Sequence, residues 1–127
     1  MINVVAGILI NENNEILIAK RKKGKHLGGY WEFPGGKIEA GETPEESLIR
    51  ELKEEMDITI KVKDYFGENI YKYERGTIKL IAYLCEMIEG KIILADHSEY
   101  KWVKKENLNQ YKMAPADIYF VRCLWEN

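Results

Sequence analysis

Apolar side chains recur at different spacings along the chain, and each spacing predicts a different kind of element. Residues 2–10 are apolar on both alternating sets and rich in β-branched side chains, which predicts a strand buried on both faces. The turn-forming residues 11–14 lead into a second apolar run at 15–19, which predicts a β-hairpin. Residues 22–31 contain three glycines and predict a loop.

The clearest helix is predicted from Thr43 to Met56. The segment Thr43-Pro44-Glu45-Glu46 supplies an N-cap residue, a proline at the first helical position and a capping-box glutamate. Later apolar spacings predict a strand from residue 58, a hairpin over 71–84, short strands at 92–94 and 100–103, and a helix at 117–125. This order of elements favours an α+β fold in which helices cover a mixed β-sheet.

Composition and charge restrict the function classes. The 127 residues suit a single domain over 1–127, and a hydrophobic content of 46% argues against disorder. The net charge of −2 gives no reason to expect binding to a nucleic-acid polymer or a membrane. No signal peptide is expected, because the short apolar N-terminal segment lacks a basic region and a small-residue cleavage site. No membrane span is expected, because no apolar run reaches about 18 residues. The isolated Cys85 and Cys123 suggest reduced thiols in a cytoplasmic protein.

Three carboxylates lie together on the predicted helix. At helical spacing, Glu51, Glu54 and Glu55 share one face beside the apolar arc of the helix. Two interpretations remain open, namely a solvated acidic face and a site for a hard cation such as Mg²⁺ or Mn²⁺. Arg50 is placed to pair with Glu54 or to hold another carboxylate. Gly35 and Gly36 precede this helix and would let the backbone approach a ligand closely.

These residues resemble the signature of the Nudix family, Gx5Ex7REUxEExGU, where U is aliphatic. Gly36, Glu42 and the run from Arg50 to Ile58 match every specified position except one. Asp57 stands where the family has glycine, and a left-handed helix end is expected there. The resemblance implies the Nudix fold and a hydrolase that cuts a nucleoside diphosphate linked to another group, with a divalent metal.

The resemblance also implies roles for the matching residues. Glu51, Glu54 and Glu55 would be metal ligands and catalytic residues, joined by the carbonyl of Gly36. Arg50 would act with them by orienting Glu51 or Glu54. Glu42 would organise the loop and helix as one unit. The general base would be Glu54 or an acid further along the chain.

A wider segment, Trp31-Glu32-Phe33-Pro34-Gly35-Gly36-Lys37-Ile38-Glu39, is similar to the MutT-type subgroup. By that similarity Phe33 would pack on the base, and Arg21, Gly35 and Lys37 would contact the substrate. Asp96 would be a metal ligand or base, and Asp117 would read the base edge. The plainer alternatives are a core position for Phe33, a loop acid at Asp96 and a helix N-cap at Asp117. His97 is expected to be a loop or packing residue.

The implied reaction is metal-dependent hydrolysis of a nucleoside triphosphate to a monophosphate and pyrophosphate. An oxidised substrate of the 8-oxo-dGTP type is favoured, followed by CTP or dCTP. Other nucleoside diphosphate derivatives, such as ADP-ribose or dinucleoside polyphosphates, and a non-catalytic nucleotide-binding regulator remain alternatives. A monomer or weak homodimer is expected.

Overall fold

The computed structural model describes residues 1–126, and within that range the chain forms seven β-strands, two α-helices and one 3₁₀ helix. In chain order they are β1 (Ile2–Leu9), β2 (Glu15–Arg21), β3 (Trp31–Glu32), β4 (Gly35–Lys37), α1 (Pro44–Met56), β5 (Ile58–Tyr73), β6 (Gly76–Gly90), β7 (His97–Lys104), the 3₁₀ helix (Lys105–Gln110) and α2 (Pro115–Glu126). None of the described helices is both long and apolar enough to cross a bilayer.

The strands form two sheets. One has four strands in the order β4-β1-β6-β5, and the other has three in the order β3-β2-β7. Strand β1 runs parallel to β6 and antiparallel to β4, while β2 is antiparallel to both of its neighbours. The pairing is therefore mixed, as the sequence predicted. The hairpin expected at 71–84 is confirmed, and both of its strands are longer than predicted. The strand predicted from residue 58 and the first strand of this hairpin are one continuous strand, β5, which begins immediately after α1.

Strand β1 is buried on both faces, as its composition predicted. Val5 and Leu9 pack into a core that contains Leu48 and Leu52 of α1. Ala6 and Ile8, which point the other way, pack into a second core built on α2. The members of this second core from α2 are Ala116, Phe120, Val121 and Leu124. The β-structure thus lies between α1 and α2, which confirms the predicted α+β arrangement.

The predicted hairpin between residues 2–10 and 15–19 is wrong. The turn at 11–14 exists, and the amide of Asn11 donates to the carbonyl of Glu15 at 3.0 Å. The strands that flank it belong to different sheets and share only an isolated bridge between Ile10 and Ile16. Each strand finds its main partners elsewhere in the chain, so a local turn signal does not fix the pairing.

The short strand predicted at 92–94 is also absent, because this segment bonds to the end of α1 instead. The amide of Ile93 donates to the carbonyl of Met56 at 3.0 Å, and the amide of Ala95 donates to the carbonyl of Glu55 at 2.9 Å. These bonds satisfy carbonyls that a helix end leaves unpaired. They also anchor the loop that carries Asp96 beside Glu55. The strand predicted at 100–103 is confirmed within β7.

Candidate active site

Helix α1 begins and ends at the residues that the sequence indicated. The Thr43 hydroxyl accepts from the amide of Glu46 at 3.1 Å, and the Glu46 carboxylate accepts from the amide of Thr43 at 2.8 Å. Asp57 adopts the predicted left-handed conformation, with φ 56° and ψ 37°, and its amide donates to the carbonyl of Lys53 at 3.1 Å. The helix therefore holds its three carboxylates in a fixed orientation.

Arg50 ties the helix to the loop that precedes it. Its Nε and Nη2 donate to the two carboxylate oxygens of Glu42 at 2.8 and 3.0 Å. Its Nη1 donates to Glu51 at 2.8 Å and to Glu54 at 3.1 Å, and Nη2 also donates to the carbonyl of Lys37 at 3.2 Å. Hydrogen bonds from Arg50 and from the Ser47 hydroxyl lower the pKa of Glu42 to about 2. Arg50 thus organises the loop and two of the acids as one unit.

Glu51 and Glu55 are the half-buried members of the acidic cluster. Gly36 lies so close to Glu51 that a Cβ atom at residue 36 would be 2.2 Å from its Oε2. The Oε1 atom of Glu55 is buried and has no hydrogen-bond partner in the described chain. Burial and the charges of Glu51, Glu32 and Asp96 raise the pKa of Glu55 to about 9. A divalent cation fits here, since it would supply the missing positive charge to these oxygen ligands.

The other predicted ligands, Glu54 and Asp96, are paired with basic side chains. The Glu54 side chain is 60% exposed and pairs with Arg50. The Lys25 ammonium contacts the Asp96 carboxylate, and this contact lowers the pKa of Asp96. Within residues 1–126 no three acidic, histidine or cysteine side chains are gathered so that they could hold a metal ion. The cluster has the right donors, but their positions reflect the cations of Arg50 and Lys25.

A cavity of about 460 Å³ connects the acidic cluster to an apolar wall. Glu55, Gly36 and Asp96 line one part of it, and Phe33 and Leu80 are among its apolar lining. The other predicted residues along the cavity are Arg21, Gly35, Lys37 and Asp117, whereas Arg50, Glu51 and Glu54 are not among its lining residues. One space therefore brings all five predicted substrate-binding residues next to the half-buried carboxylate of Glu55.

Asp117 joins α2 to the segment that carries Phe33. Its side chain is buried, the residue being 5% exposed, and its Oδ2 accepts from the amide of Phe33 at 3.0 Å. The alternative role as N-cap is wrong, because α2 begins at Pro115 and Asp117 lies within the first turn. Burial and the nearby charge of Glu32 raise the pKa of Asp117 well above its usual range. Phe33 itself is both a core residue and part of the cavity wall.

One cavity residue, Glu32, was missed from the sequence, as was its contact with His97. Glu32, which was given no role, lines the cavity and lies 3.2 Å from Nη1 of Arg21. His97 is buried, which confirms its expected packing position, and its Nε2 is 2.9 Å from Oε2 of Glu32. The available signal was the position of Glu32 between Trp31 and Phe33, since a charge flanked by two buried aromatic residues must find a partner. The identity of that partner, 65 residues away, left no local signal.

Comparison with known proteins agrees with the signature. The NUDIX domain family model matches residues 1–124. The 8-oxo-dGTP diphosphatase of Escherichia coli K12 is 38% identical over 116 residues, which cover 91% of this chain and 90% of that protein. The CTP pyrophosphohydrolase of the same strain is 36% identical over 118 residues, covering 93% and 87%. The crystal structure of a MutT protein from Methanosarcina mazei Go1 superimposes with a TM-score of 0.87 at 26% identity, covering 98% of this chain and 92% of that chain.

The family model spans nearly the whole described chain. Both relatives align with this chain over about nine tenths of their own length. The fold places the signature residues of helix α1 beside the cavity, with Glu55 in its wall. The chain therefore belongs to the Nudix family and is a Nudix hydrolase.

Proposed function

We propose that the protein hydrolyses a nucleoside triphosphate to a nucleoside monophosphate and pyrophosphate in the presence of Mg²⁺ or Mn²⁺. The observation that carries this proposal is a single cavity with two unlike parts. One part contains the buried, unpartnered oxygen of Glu55, and the other is the apolar wall at Phe33. Such a cavity suits a metal-bound phosphate chain at one side and a flat base at the other.

The acidic side supports phosphate chemistry. A bound divalent cation would neutralise phosphate charge and lower the pKa of the attacking water. The residues proposed to hold it are Glu51 and Glu55, with the carbonyl of Gly36, and with Glu54 and Asp96 once they leave Arg50 and Lys25. Arg50 keeps Glu51 oriented through the 2.8 Å bond from Nη1. Attack of water on the β-phosphorus breaks its bond to the oxygen that bridges to the α-phosphate, so the monophosphate leaves.

The basic residues near the cavity support binding of the polyphosphate. Lys20, Arg21, Lys22, Lys23 and Lys25 lie in or just after β2, and Arg21 lines the cavity directly. Lys37 lines the same cavity next to Gly36. We propose that Arg21 and Lys37 bind phosphate oxygens and that Gly35 lets the phosphate chain approach the backbone.

The base is proposed to lie against Phe33 and to be read by Asp117. One oxygen of Asp117 is held by the amide of Phe33, which leaves Oδ1 for the substrate. The pKa of Asp117 is raised by burial in the free protein, but hydrogen-bond donors on a bound base would favour its ionised form. The ionised carboxylate only accepts hydrogen bonds, so it would pair with the N1–H and amino group of guanine or the amino group of cytosine. A substrate of the 8-oxo-dGTP type is the first candidate, and CTP or dCTP is the second, because the cytosine amino group meets the same requirement.

A substrate panel tests the proposal. Magnesium-dependent release of pyrophosphate would be measured for 8-oxo-dGTP, dGTP, CTP, dCTP and, as a different class, ADP-ribose. The proposal expects turnover of a triphosphate, with a kcat/KM at least about tenfold above that for ADP-ribose. Preferential hydrolysis of ADP-ribose would refute it, as would tight binding of a nucleotide without turnover.

A matched pair of variants tests the role of the acidic face. Glu54→Gln removes a carboxylate proposed as ligand or base, whereas Glu45→Gln makes the same change at an exposed position in the first turn of α1. We expect kcat to fall at least about 100-fold in the first variant, which is the size of a general acid–base contribution. A near-normal kcat for Glu54→Gln would exclude Glu54 as an essential ligand or base. The second variant should retain the wild-type kcat.

Setting and assembly are part of the proposal. We propose a single catalytic domain that acts in the cytoplasm as a monomer or weak homodimer, without a nucleic-acid polymer or membrane as partner. Its thiols support a reducing compartment, since Cys85 and Cys123 are both free in the described chain. Burial raises the pKa of the Cys85 thiol to about 12, which suits an inert core position.

A further inference from the structure

Three strands bring Arg21, Glu32 and His97 together beside the cavity. Strand β2 carries Arg21 at its end, and it lies between β3, which carries Glu32, and β7, which begins at His97. Ala19 is paired with Glu32, and Arg21 is paired with His97. Since Ala19 and Arg21 are two residues apart, their side chains share one face of the sheet. The side chains of Glu32 and His97 can therefore both reach Arg21 on that face.

A β-bulge makes this arrangement possible. Lys20 pairs with Glu99, so a regular antiparallel register would place Ser98 opposite Arg21. The register shifts between Lys20 and Arg21, and His97 takes that position instead. Without the shift His97 would point to the opposite face, because side chains alternate along a strand. The bulge thus redirects an imidazole toward Glu32.

The contacts form a chain in which each charge has a defined partner. Nε2 of His97 lies 2.9 Å from Oε2 of Glu32, and it donates because a carboxylate only accepts. Oε1 of Glu32 accepts from Nη1 of Arg21 at 3.2 Å, and Nε of Arg21 donates to the carbonyl of His26 at 2.8 Å. Nη2 of Arg21 has no hydrogen-bond partner among residues 1–126, so it is available to a ligand in the cavity that Arg21 lines.

The histidine has no other polar role in the described chain. Its side chain is 3% exposed, and Nδ1 is buried without a hydrogen-bond partner among residues 1–126. Its single polar contact is therefore the bond to Glu32. An apolar residue of similar size would fill the same space without leaving a buried nitrogen unpaired. The bond to Glu32 is the feature that distinguishes histidine from such a residue here.

We propose that His97 is a positioning residue that acts through Glu32 to hold Arg21 with its free nitrogen presented to the cavity. The binding of a phosphate by that nitrogen rests on the proposed function, whereas the holding of Arg21 does not. Replacing His97 by leucine removes the donor and leaves Glu32 with one cation instead of two hydrogen-bonded partners. Glu32 then has no fixed anchor, so its contact supports the guanidinium less firmly and the bond from Nε of Arg21 to the carbonyl of His26 opens more often.

The first test measures, without any substrate, how firmly the Arg21 side chain is held. Hydrogen exchange of the Arg21 Nε–H would be followed by nitrogen-15 NMR, with the signal assigned from the spectrum of Arg21→Lys. We expect exchange to be at least about tenfold faster in His97→Leu than in the wild type, because the guanidinium opens more often. His97→Gln, whose amide can donate from nearly the same place, should restore slow exchange. Unchanged exchange in His97→Leu would overturn the proposal.

The second test asks whether His97 and Arg21 affect KM through the same contact, during turnover of the best substrate from the panel. His97→Leu should raise KM about tenfold, the effect of losing one charge-assisted hydrogen bond, while kcat stays within about threefold. In an Arg21→Ala background the same change should have no further effect on KM, because both changes disable one contact. Additive effects on KM would overturn the proposal. If the wild type hydrolyses no nucleotide, the proposed function fails, and the exchange test still decides the role of His97.

Loss of stability is controlled on the same strand. Val103 is a buried residue of β7 outside the Arg21–Glu32–His97 chain, so Val103→Ala weakens the strand without removing a polar contact. This variant should lower Tm and leave both the Arg21 exchange and KM at the wild-type values. If Val103→Ala reproduces the KM change of His97→Leu at a similar Tm, His97 acts only by stabilising β7, and the proposal is wrong.

Discussion

Gly35 and Gly36 are adjacent, yet adding one methyl group to each should have different consequences. A Cβ at residue 35 would lie 1.9 Å from the carbonyl oxygen of Val5 and 2.8 Å from Cα of Ala6, both in the backbone of β1. A Cβ at residue 36 would lie 2.2 Å from Oε2 of Glu51, which is the end of a side chain. Backbone cannot yield without separating β4 from β1, whereas a carboxylate can rotate away.

The magnitudes follow from what must move. Gly35→Ala should cost at least about 3 kcal/mol, the upper end for overpacking, because a strand must shift. At about 4 °C per kcal/mol for a domain of this size, Tm falls by more than about 10 °C. Gly36→Ala should cost only about 1 kcal/mol, the cost of an off-rotamer side chain. Its main effect should be on metal binding, since Glu51 is displaced from beside Gly36.

The assay is a Mg²⁺ titration of each variant, which is monitored in two ways: by the Tm without nucleotide and by the rate of pyrophosphate release. For Gly36→Ala we expect the half-saturating Mg²⁺ concentration to rise about 10- to 100-fold, the range for disturbing the support of a metal ligand. The folded fraction of Gly35→Ala should keep nearly the wild-type Mg²⁺ dependence. Equal losses of Tm in both variants, with Mg²⁺ dependence unchanged in Gly36→Ala, would refute the assignment of Glu51 and Gly36 to a metal site.

Three further predictions concern single side chains. The pKa of Glu55 is raised from its ordinary value of 4.5 to about 9 in the folded protein. Between these two values the folded state binds one proton more than the unfolded state, so the free energy of unfolding falls as the pH rises. Glu55→Gln should therefore flatten the curve of Tm against pH, measured from pH 5 to 9 in the presence of a chelator. Asp117→Asn should keep Tm, because its oxygen can still accept from Phe33, but should change the dGTP-to-CTP ratio of kcat/KM at least about tenfold. Asp117→Ala should also lower stability by about 1–3 kcal/mol through the unpaired amide. Lys25→Gln should lower the half-saturating Mg²⁺ concentration about two- to threefold in calorimetry without nucleotide, a modest effect because the pair with Asp96 is exposed.

Local signals predicted the parts of this molecule whose structure depends on near neighbours in sequence. The bounds of α1 follow from a capping box within four residues, and the left-handed end at Asp57 follows from the signature. The two-faced burial of β1 follows from its composition. The turn at 11–14 was also found, but its strands belong to different sheets, because pairing depends on distant partners that a turn cannot specify.

The site shows the same division. Helical spacing predicted that the carboxylates of α1 share one face and that Arg50 can pair with Glu54, and the family resemblance implied its contact with Glu51. The bonds from Phe33 to Asp117 and from His97 to Glu32 join residues 84 and 65 positions apart. The apolar run at 92–94 predicted a strand, but this segment instead donates hydrogen bonds to the unpaired carbonyls at the end of α1. Tertiary partners decide these cases, and spacing along the chain carries no record of them.

The charge pattern gains a meaning that the sequence alone did not give it. The basic residues at 20–25 and the acids around α1 appear as two opposed patches in a chain of net charge −2. In the structure the basic residues contact the loop that runs beside Glu55 and the end of β3, since Lys25 contacts Asp96, Lys22 reaches the carbonyl of Ala95 and Arg21 contacts Glu32. Lys25 therefore neutralises Asp96, an acid that the proposed metal ion would otherwise neutralise. The metal-bound triphosphate proposed as substrate would bring both a cation for Asp96 and an anion for the basic residues, so it would replace these internal pairs in one binding event.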